Sequence, residues 1–149
     1  MSQTTAASYG NIAPAVAGGK YDIRPDTVVT RAAEAALPFG VGVTYGTDSD
    51  KQCKIVSSAG NTFYGVSLFQ QTILPSGGAN QYAAKDAVSI LTSGAVYVEV
   101  TSDVAAGAAA YVDIANGKFT DVSTDNLAVP NGKFEKAATS GNLAVLVIK

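Results

Sequence analysis

The chain has 149 residues, the length of one ordinary domain with a sizeable core, and its 17 valines against 7 leucines favour strands, because β-branched side chains fit a pleated surface. Only 15% of residues are charged and the net charge is −2, which excludes the basic footprint of a nucleic-acid binder and the polybasic signal of a membrane-surface protein. The lack of histidine and the single cysteine exclude Ser-His-Asp and Cys-His catalysis, His-containing zinc sites and an intrachain disulfide.

Residues 1–19, "MSQTTAASYGNIAPAVAGG", carry no charged side chain and keep neither helical nor strand periodicity. They predict an extended N-terminal arm ahead of a single β-domain over 20–149. Tyr9, Ile12 and Val16 are the arm's apolar side chains for docking on a neighbour, and Tyr21, just past the arm, joins them as a partner-binding candidate. The first residues show no basic stretch followed by an apolar one, and no apolar run approaches the ~20 residues of a bilayer span. Synthesis in the cytoplasm is therefore expected.

Short strand candidates then recur between turn signals. "YDIR" and "TVVT" come first. "TRAAEAAL" at 30–37 has helix-forming composition, with Thr30 as N-cap and Pro38 as stop, and predicts a single helical turn. "FGVGVTY" puts Phe39, Val41, Val43 and Tyr45 on one parity, and "QCKIVS" puts Cys53 with Ile55 and Ser57, so Cys53 is expected to be a buried, reduced thiol. "TFYGVSLF", "AVSILT" and "AVYVEV" follow, the last with Val96, Val98 and Val100 opposite Tyr97 and Glu99. The alanines around Gly107 suggest a helix, but "YVDI" alternates before Asn116-Gly117, the strongest hairpin signal. Residues 108–114 and 118–120 are therefore read as hairpin strands, before "GKFEKAA" and "LAVLVI". Many short strands at this spacing predict an all-β antiparallel sandwich or small barrel.

Chemistry-bearing patterns are sparse. Asp48 and Asp50 in "TDSDK" are a fragment of a calcium loop without its glycine and distal glutamate, so they read as a solvated turn. Asp22/Asp26 and Asp121/Asp125 flank turns, and would serve acid–base chemistry only if folding buried them together. "PSGGAN" at 75–80 lacks the lysine and hydroxyl residue of a phosphate loop. Phe63, Tyr64 and Phe69 are expected to pack in the core or across strands rather than stack on sugars or bases. No metal, cofactor, small-molecule substrate or catalytic constellation is indicated, and the low-charge surface suits burial against a partner.

The ordered series "YDIRPDTVVTRAAEAALPFGVGVTYGT", "FYGVSLF", "YAAKDAVSILTSGAVYVEVTSDVAAGAAAYV", "GKFT" and "LAVLVI" resembles the structural cement, or capsid decoration, proteins of tailed bacteriophages. Asp22, Ile23, Arg31, Pro38, Phe39, Gly40 and Val43 are similar to the family's first block. Tyr82, Asp86, Val88, Gly94, Val96, Tyr97 and Val98 are similar to its second. Val104, Ala106, Gly107, Tyr111 and Val112 are similar to a turn-and-strand element, from which Ala108 and Ala110 depart. The resemblance implies a jelly-roll-like fold and a non-enzymatic virion protein on the capsid exterior. It further implies a partner in the major capsid protein, with neighbouring subunits bridged to stabilise the head, and self-association as a dimer or trimer. The alternative is a glycan- or receptor-binding β-module on a virion, which requires Tyr64, Tyr97 and Tyr111 to cluster on one open surface.

Overall fold

The computed structural model describes residues 16–70 and 81–149. Eleven strands, and no helix, make up the regular structure of these residues: β1 (Thr27–Ala33), β2 (Leu37–Pro38), β3 (Gly42–Tyr45), β4 (Gln52–Ile55), β5 (Gly65–Ser67), β6 (Gln81–Tyr82), β7 (Ala87–Glu99), β8 (Ala109–Val112), β9 (Phe119–Thr120), β10 (Leu127–Lys136) and β11 (Leu143–Ile148). The fold is all-β, as the valine content and the turn spacing predict.

Nine strands form one sheet in the order β1-β4-β3-β5-β7-β11-β10-β8-β9, and β1 pairs with β7 as well as with β4. That extra pairing closes a five-stranded ring. Every ladder is antiparallel except β1–β4, where Ala32 and Ala33 face Gln52 and Cys53 in parallel. At the far end, Phe119 of β9 bridges Val100, and the Thr101 N–H donates to the Phe119 carbonyl at 2.9 Å. The remaining strands therefore curl back onto the end of β7. The architecture is two closed rings that share one strand.

Strand β7 runs 13 residues where the sequence predicts two strands separated by Ser93-Gly94. Its first half pairs with β1 and β5, its second with β11. Thr27 faces Ser93 while Val28 faces Leu91, so Thr92 is the extra residue of a bulge. Next to it Gly94 takes φ +131°, and a Cβ there would lie 2.7 Å from the Asp26 Cβ. A bulge followed by a glycine bends a strand without ending it. Here the bend redirects β7 from one ring into the other.

The predicted helical turn at 30–37 is absent: residues 30–33 belong to β1, 34–36 are a bend, and Leu37 begins β2. Residues 28–32 of β1 pair one-to-one with β7, and the Ala32, Ala33 and Glu34 N–H groups find carbonyls of Lys51, Asp86 and Cys53 at 2.9 Å. Alanine's helix preference is worth only tenths of a kcal/mol over most residues. A two-sided ladder with Ala33 buried outweighs it. The expected "YDIR" strand is also corrected. Residues 22–24 are a bend ahead of Pro25, and Lys20 alone forms a bridge, to Val96. The hairpin of β8 and β9 is present, shorter than expected, with Tyr111 opposite Thr120 and Val112 opposite Phe119. Gly117 closes its turn by donating to the Asp113 carbonyl at 2.8 Å.

The apolar side chains form two clusters, the larger of which also takes in Val66 and Leu91 of the first ring. The larger joins Val96 and Val98 of β7, and Val100 just past its end, to Phe119, Phe134 and Leu146; the smaller gathers Val43, Cys53, Tyr82, Val88 and Ile90. Val96, Val98 and Val100 point inward while Tyr97 and Glu99 do not, as the alternation requires. Polar groups inside are paired. The Tyr82 hydroxyl donates to the Leu68 carbonyl at 2.6 Å, the Ser67 hydroxyl to the Pro38 carbonyl at 2.7 Å, and the Thr44 hydroxyl to the Thr62 carbonyl at 2.7 Å.

Candidate functional site

Residues 18–21 run along the second half of β7. Gly18 donates to the Tyr97 carbonyl at 2.8 Å, Tyr97 to Gly19 at 2.8 Å, and Tyr21 to Ala95 at 3.1 Å. Gly18 and Gly19 are therefore packed backbone, as Lys20 is. Beyond Tyr21 the loop over 20–26 turns away from the sheet, because Pro25 cannot donate to a ladder and Asp22 makes a side-chain turn. The Asp22 carboxylate accepts from the Arg24 backbone N–H at 3.2 Å, from Nε at 2.9 Å and from Nη2 at 2.7 Å. Arg24 Nη2 reaches on to Glu135 of β10 at 3.0 Å. A third ion pair, Lys20–Asp26 at 3.1 Å, closes the base of the loop.

These contacts set the charges of the site. The Arg24 guanidinium holds the Asp22 carboxyl below the usual aspartate range, and Asp22 in turn, with Glu135, raises Arg24. Lys136 lies 5.0 Å from the centre of the Tyr21 ring, whose hydroxyl raises the lysine above its ordinary value. Tyr21 packs edge-on against Tyr97, with centroids 5.5 Å apart at 74°. At the tip of this braced loop stands Ile23, fully exposed at 101% of its reference area. Beside it lies a groove of about 530 Å³ lined by Arg24, Lys133, Glu135 and Lys149 together with Phe134 and Val147.

Of the sequence-derived partner-binding residues, Tyr9 and Ile12 lie outside the described residues. Val16 is 42% exposed, and its carbonyl accepts from Gly19 at 3.0 Å. Tyr21 is held in the clamp just described. Val16 and Tyr21 thus sit on one stretch of chain running along β7. Ile23, Arg24, Glu135 and Lys136 were not singled out for this role, since reading "YDIR" as a strand hides a tip residue. The usable signal is Asp22 two residues before Arg24, which Pro25 directly follows, a side-chain turn ahead of a proline.

The other chemistry-bearing patterns stay apart. Asp48 accepts from the Asp50 N–H at 3.1 Å in a turn. Asp22 pairs with Arg24 while Asp26 pairs with Lys20, and Asp121 accepts from the Ser102 hydroxyl at 2.9 Å. The segment 75–80 lies outside the described residues. Tyr64 stacks on Tyr45 at 4.6 Å under the Arg31 guanidinium, Phe69 meets Phe39 at 5.1 Å, and Phe63 packs on the larger core. Tyr64, Tyr97 and Tyr111 have separate surroundings: Tyr64 is in the Arg31 stack, Tyr97 is under Tyr21, and Tyr111 is on β8. The clustering that a glycan-binding reading requires is not seen.

The family described as "Structural cement protein (E217 gp24/Pam3 gp6)", a phage family, matches residues 3–149. The chain belongs to the phage structural cement family. Its role is accordingly a structural, capsid-associated one. No curated protein matches it. Among solved structures it is similar to a chain of the capsid of Myoviridae phage XM1, at 20% identity and a TM-score of 0.70, over 94% of this chain and 96% of that one. That likeness shows a shared fold. It is also similar to the head fibre gp8.5 N base of bacteriophage phi29, at 16% identity and a TM-score of 0.48, over 84% of this chain and 95% of that one.

Within the cement family reading, the closed rings matter. Strand edges in a low-charge protein invite pairing with other chains unless they are covered. Among the described residues most edges are taken up by ring closure. The outer side of residues 27–31 is a short stretch that no described strand covers.

Proposed function

We propose that this protein binds the outer surface of an assembled phage head and bridges neighbouring major capsid protein subunits, without catalysing a reaction. The observation that carries this reading is the family match along residues 3–149. The mechanism is added interface. A stable contact buries on the order of 1,200–2,000 Å² in total, and repetition over a symmetric shell converts modest single contacts into strong resistance to rupture. The partner-facing parts are the segment 1–19, through Tyr9, Ile12 and Val16, and the adjoining Tyr21. Ordering the arm costs about 1–2 kcal/mol per residue, against about 25 cal/mol per Å² of apolar burial, so only part of it is fixed on the head.

Co-sedimentation with purified undecorated heads tests this reading. The full chain should bind saturably. A chain beginning at Val16, which keeps the Gly18 and Gly19 bonds to Tyr97, should fold yet bind more weakly. Absence of saturable binding by the full chain would contradict the proposal, and equal binding by the shortened chain would remove the arm from it.

A further inference from the structure

We infer that residues 18–21 are a load-bearing anchor, through which tension on the N-terminal segment passes into both rings at once. The use of the anchor rests on the capsid-binding reading above, in which the shell holds the segment 1–19. The anchor itself is a property of the isolated chain. Strand pairing alone would not set these residues apart, but the spread, direction and fit of their contacts do.

The bonds spread over both rings. Gly18 donates its N–H to the Tyr97 carbonyl at 2.8 Å, and its own carbonyl accepts from the Phe69 N–H at 2.9 Å. Phe69 belongs to the first ring: its neighbour Leu68 donates to Ser89, and its own ring packs on Phe39. Tyr97 faces Val145 of β11 in the second ring. One residue is thus bonded to both. Tyr97 then donates to Gly19 at 2.8 Å and Tyr21 to Ala95 at 3.1 Å, and the Tyr21 side chain rests on Tyr97 and under Lys136 of β10.

The direction of these bonds suits a pull. Val96 has Lys20 on one side and Leu146 of β11 on the other, both antiparallel. Residues 18–21 and β11 therefore run the same way on opposite sides of β7. Gly18 lies at the level of Tyr97, while Ile148 lies at the level of Gly94. Ladder bonds between antiparallel strands lie perpendicular to the strands. A pull that draws the segment along β7, away from Gly94, strains the Gly18–Tyr97, Tyr97–Gly19 and Tyr21–Ala95 bonds together instead of opening them one by one.

The fit is close. Gly18 has φ +84°, and a Cβ there would lie 2.8 Å from the Phe69 nitrogen and 2.9 Å from the Gly40 nitrogen and the Ser67 oxygen. From the other side, a Cβ on Gly40 would lie 2.6 Å from the Gly18 nitrogen. Two backbones touch here because neither residue has a side chain. A side chain at 18 would push them apart and strain the bonds to Tyr97 and Phe69.

The test holds single molecules of the full chain at constant force between two introduced cysteines, Cys53 being buried. Val16→Cys with Lys149→Cys sends the load through residues 18–21. Ala59→Cys, in the exposed turn after β4, with Lys149→Cys bypasses them. In the first geometry Gly18→Ala should shorten the lifetime at least about 5-fold, because alanine is strained at positive φ. In the second the loss should be clearly smaller. Tyr21→Pro removes the N–H bonded to Ala95 and leaves the Gly18 contacts in place, which provides for a Gly18→Ala chain that does not fold. It should shorten the first lifetime about 2- to 10-fold, the worth of one backbone bond, and again spare the second. Equal shortening in both geometries would overturn the anchor and make 18–21 ordinary packing. Unchanged lifetimes in the first geometry would overturn it too. A loss selective for the first geometry supports the anchor whether or not heads are bound, and failure to bind heads would overturn the capsid reading alone.

Discussion

Cys53 shows how a residue's surroundings decide its chemistry. It lies on β4 with no exposed surface, among Val43, Val88 and Ile90, and burial pushes its thiol up to about 11. A thiol that stays protonated in an apolar cluster is a packing group, because the thiolate is the reactive form. Native protein should resist thiol-specific labelling that goes to completion in denaturant. Cys53→Ser should cost about 1–3 kcal/mol, read from a denaturation midpoint, because it buries a hydroxyl among apolar groups. This burial was legible in the sequence through the shared parity with Ile55. Asp22 is the opposite case. Arg24 lowers its folded pKa below the ordinary value of about 3.9, so its stabilising effect is present above that pH and is lost as pH falls through the lowered folded value. Asp22→Asn should therefore be less stable than the natural chain near neutrality, and the two should converge at acid pH in the same denaturation measurement.

At the scale of elements, Gly94 governs how β7 serves both rings. Its positive φ and the 2.7 Å approach of a Cβ to Asp26 act together, whereas Gly107, at φ +87°, has nothing within 4 Å. Gly107→Ala carries conformational strain alone, about 1–2 kcal/mol. Gly94→Val adds a clash with the Asp26 Cβ and should cost roughly 3 kcal/mol or more. Urea midpoints of the two variants measure the difference, and equal losses would show that the bend tolerates a side chain. The strand pattern of β7, β8, β9 and β11 was readable because alternation and the Asn-Gly turn are local signals. The error at 30–37 arose because alanine carries no face. What makes residues 28–33 a strand is the pairing with residues far along the chain, 87–91 and 52–53. The same holds for Ser93-Gly94, where a turn signal marks a bulge only when β1 lies alongside.

At the scale of the molecule, the sequence resemblance and the family match agree on a structural, capsid-associated role, and the fold supplies a body suited to it. Two closed rings leave few strand edges for unintended pairing and place a braced, Ile23-tipped loop directly after residues 18–21, which run along β7. The candidate site was only partly legible. Tyr21 could be picked as an aromatic next to an uncharged arm, but the ion network that braces the 20–26 loop joins residues 22 and 135 and exists only once the second ring has formed. If the protein acts as added interface, its effect must appear in the mechanical behaviour of the shell. The most direct measurement is the rupture temperature of undecorated heads, followed by release of packaged or encapsulated content, with and without saturating protein. The account predicts a higher rupture temperature that rises with occupancy and reaches a plateau at saturation. An unchanged rupture temperature on heads shown to be fully occupied would contradict it.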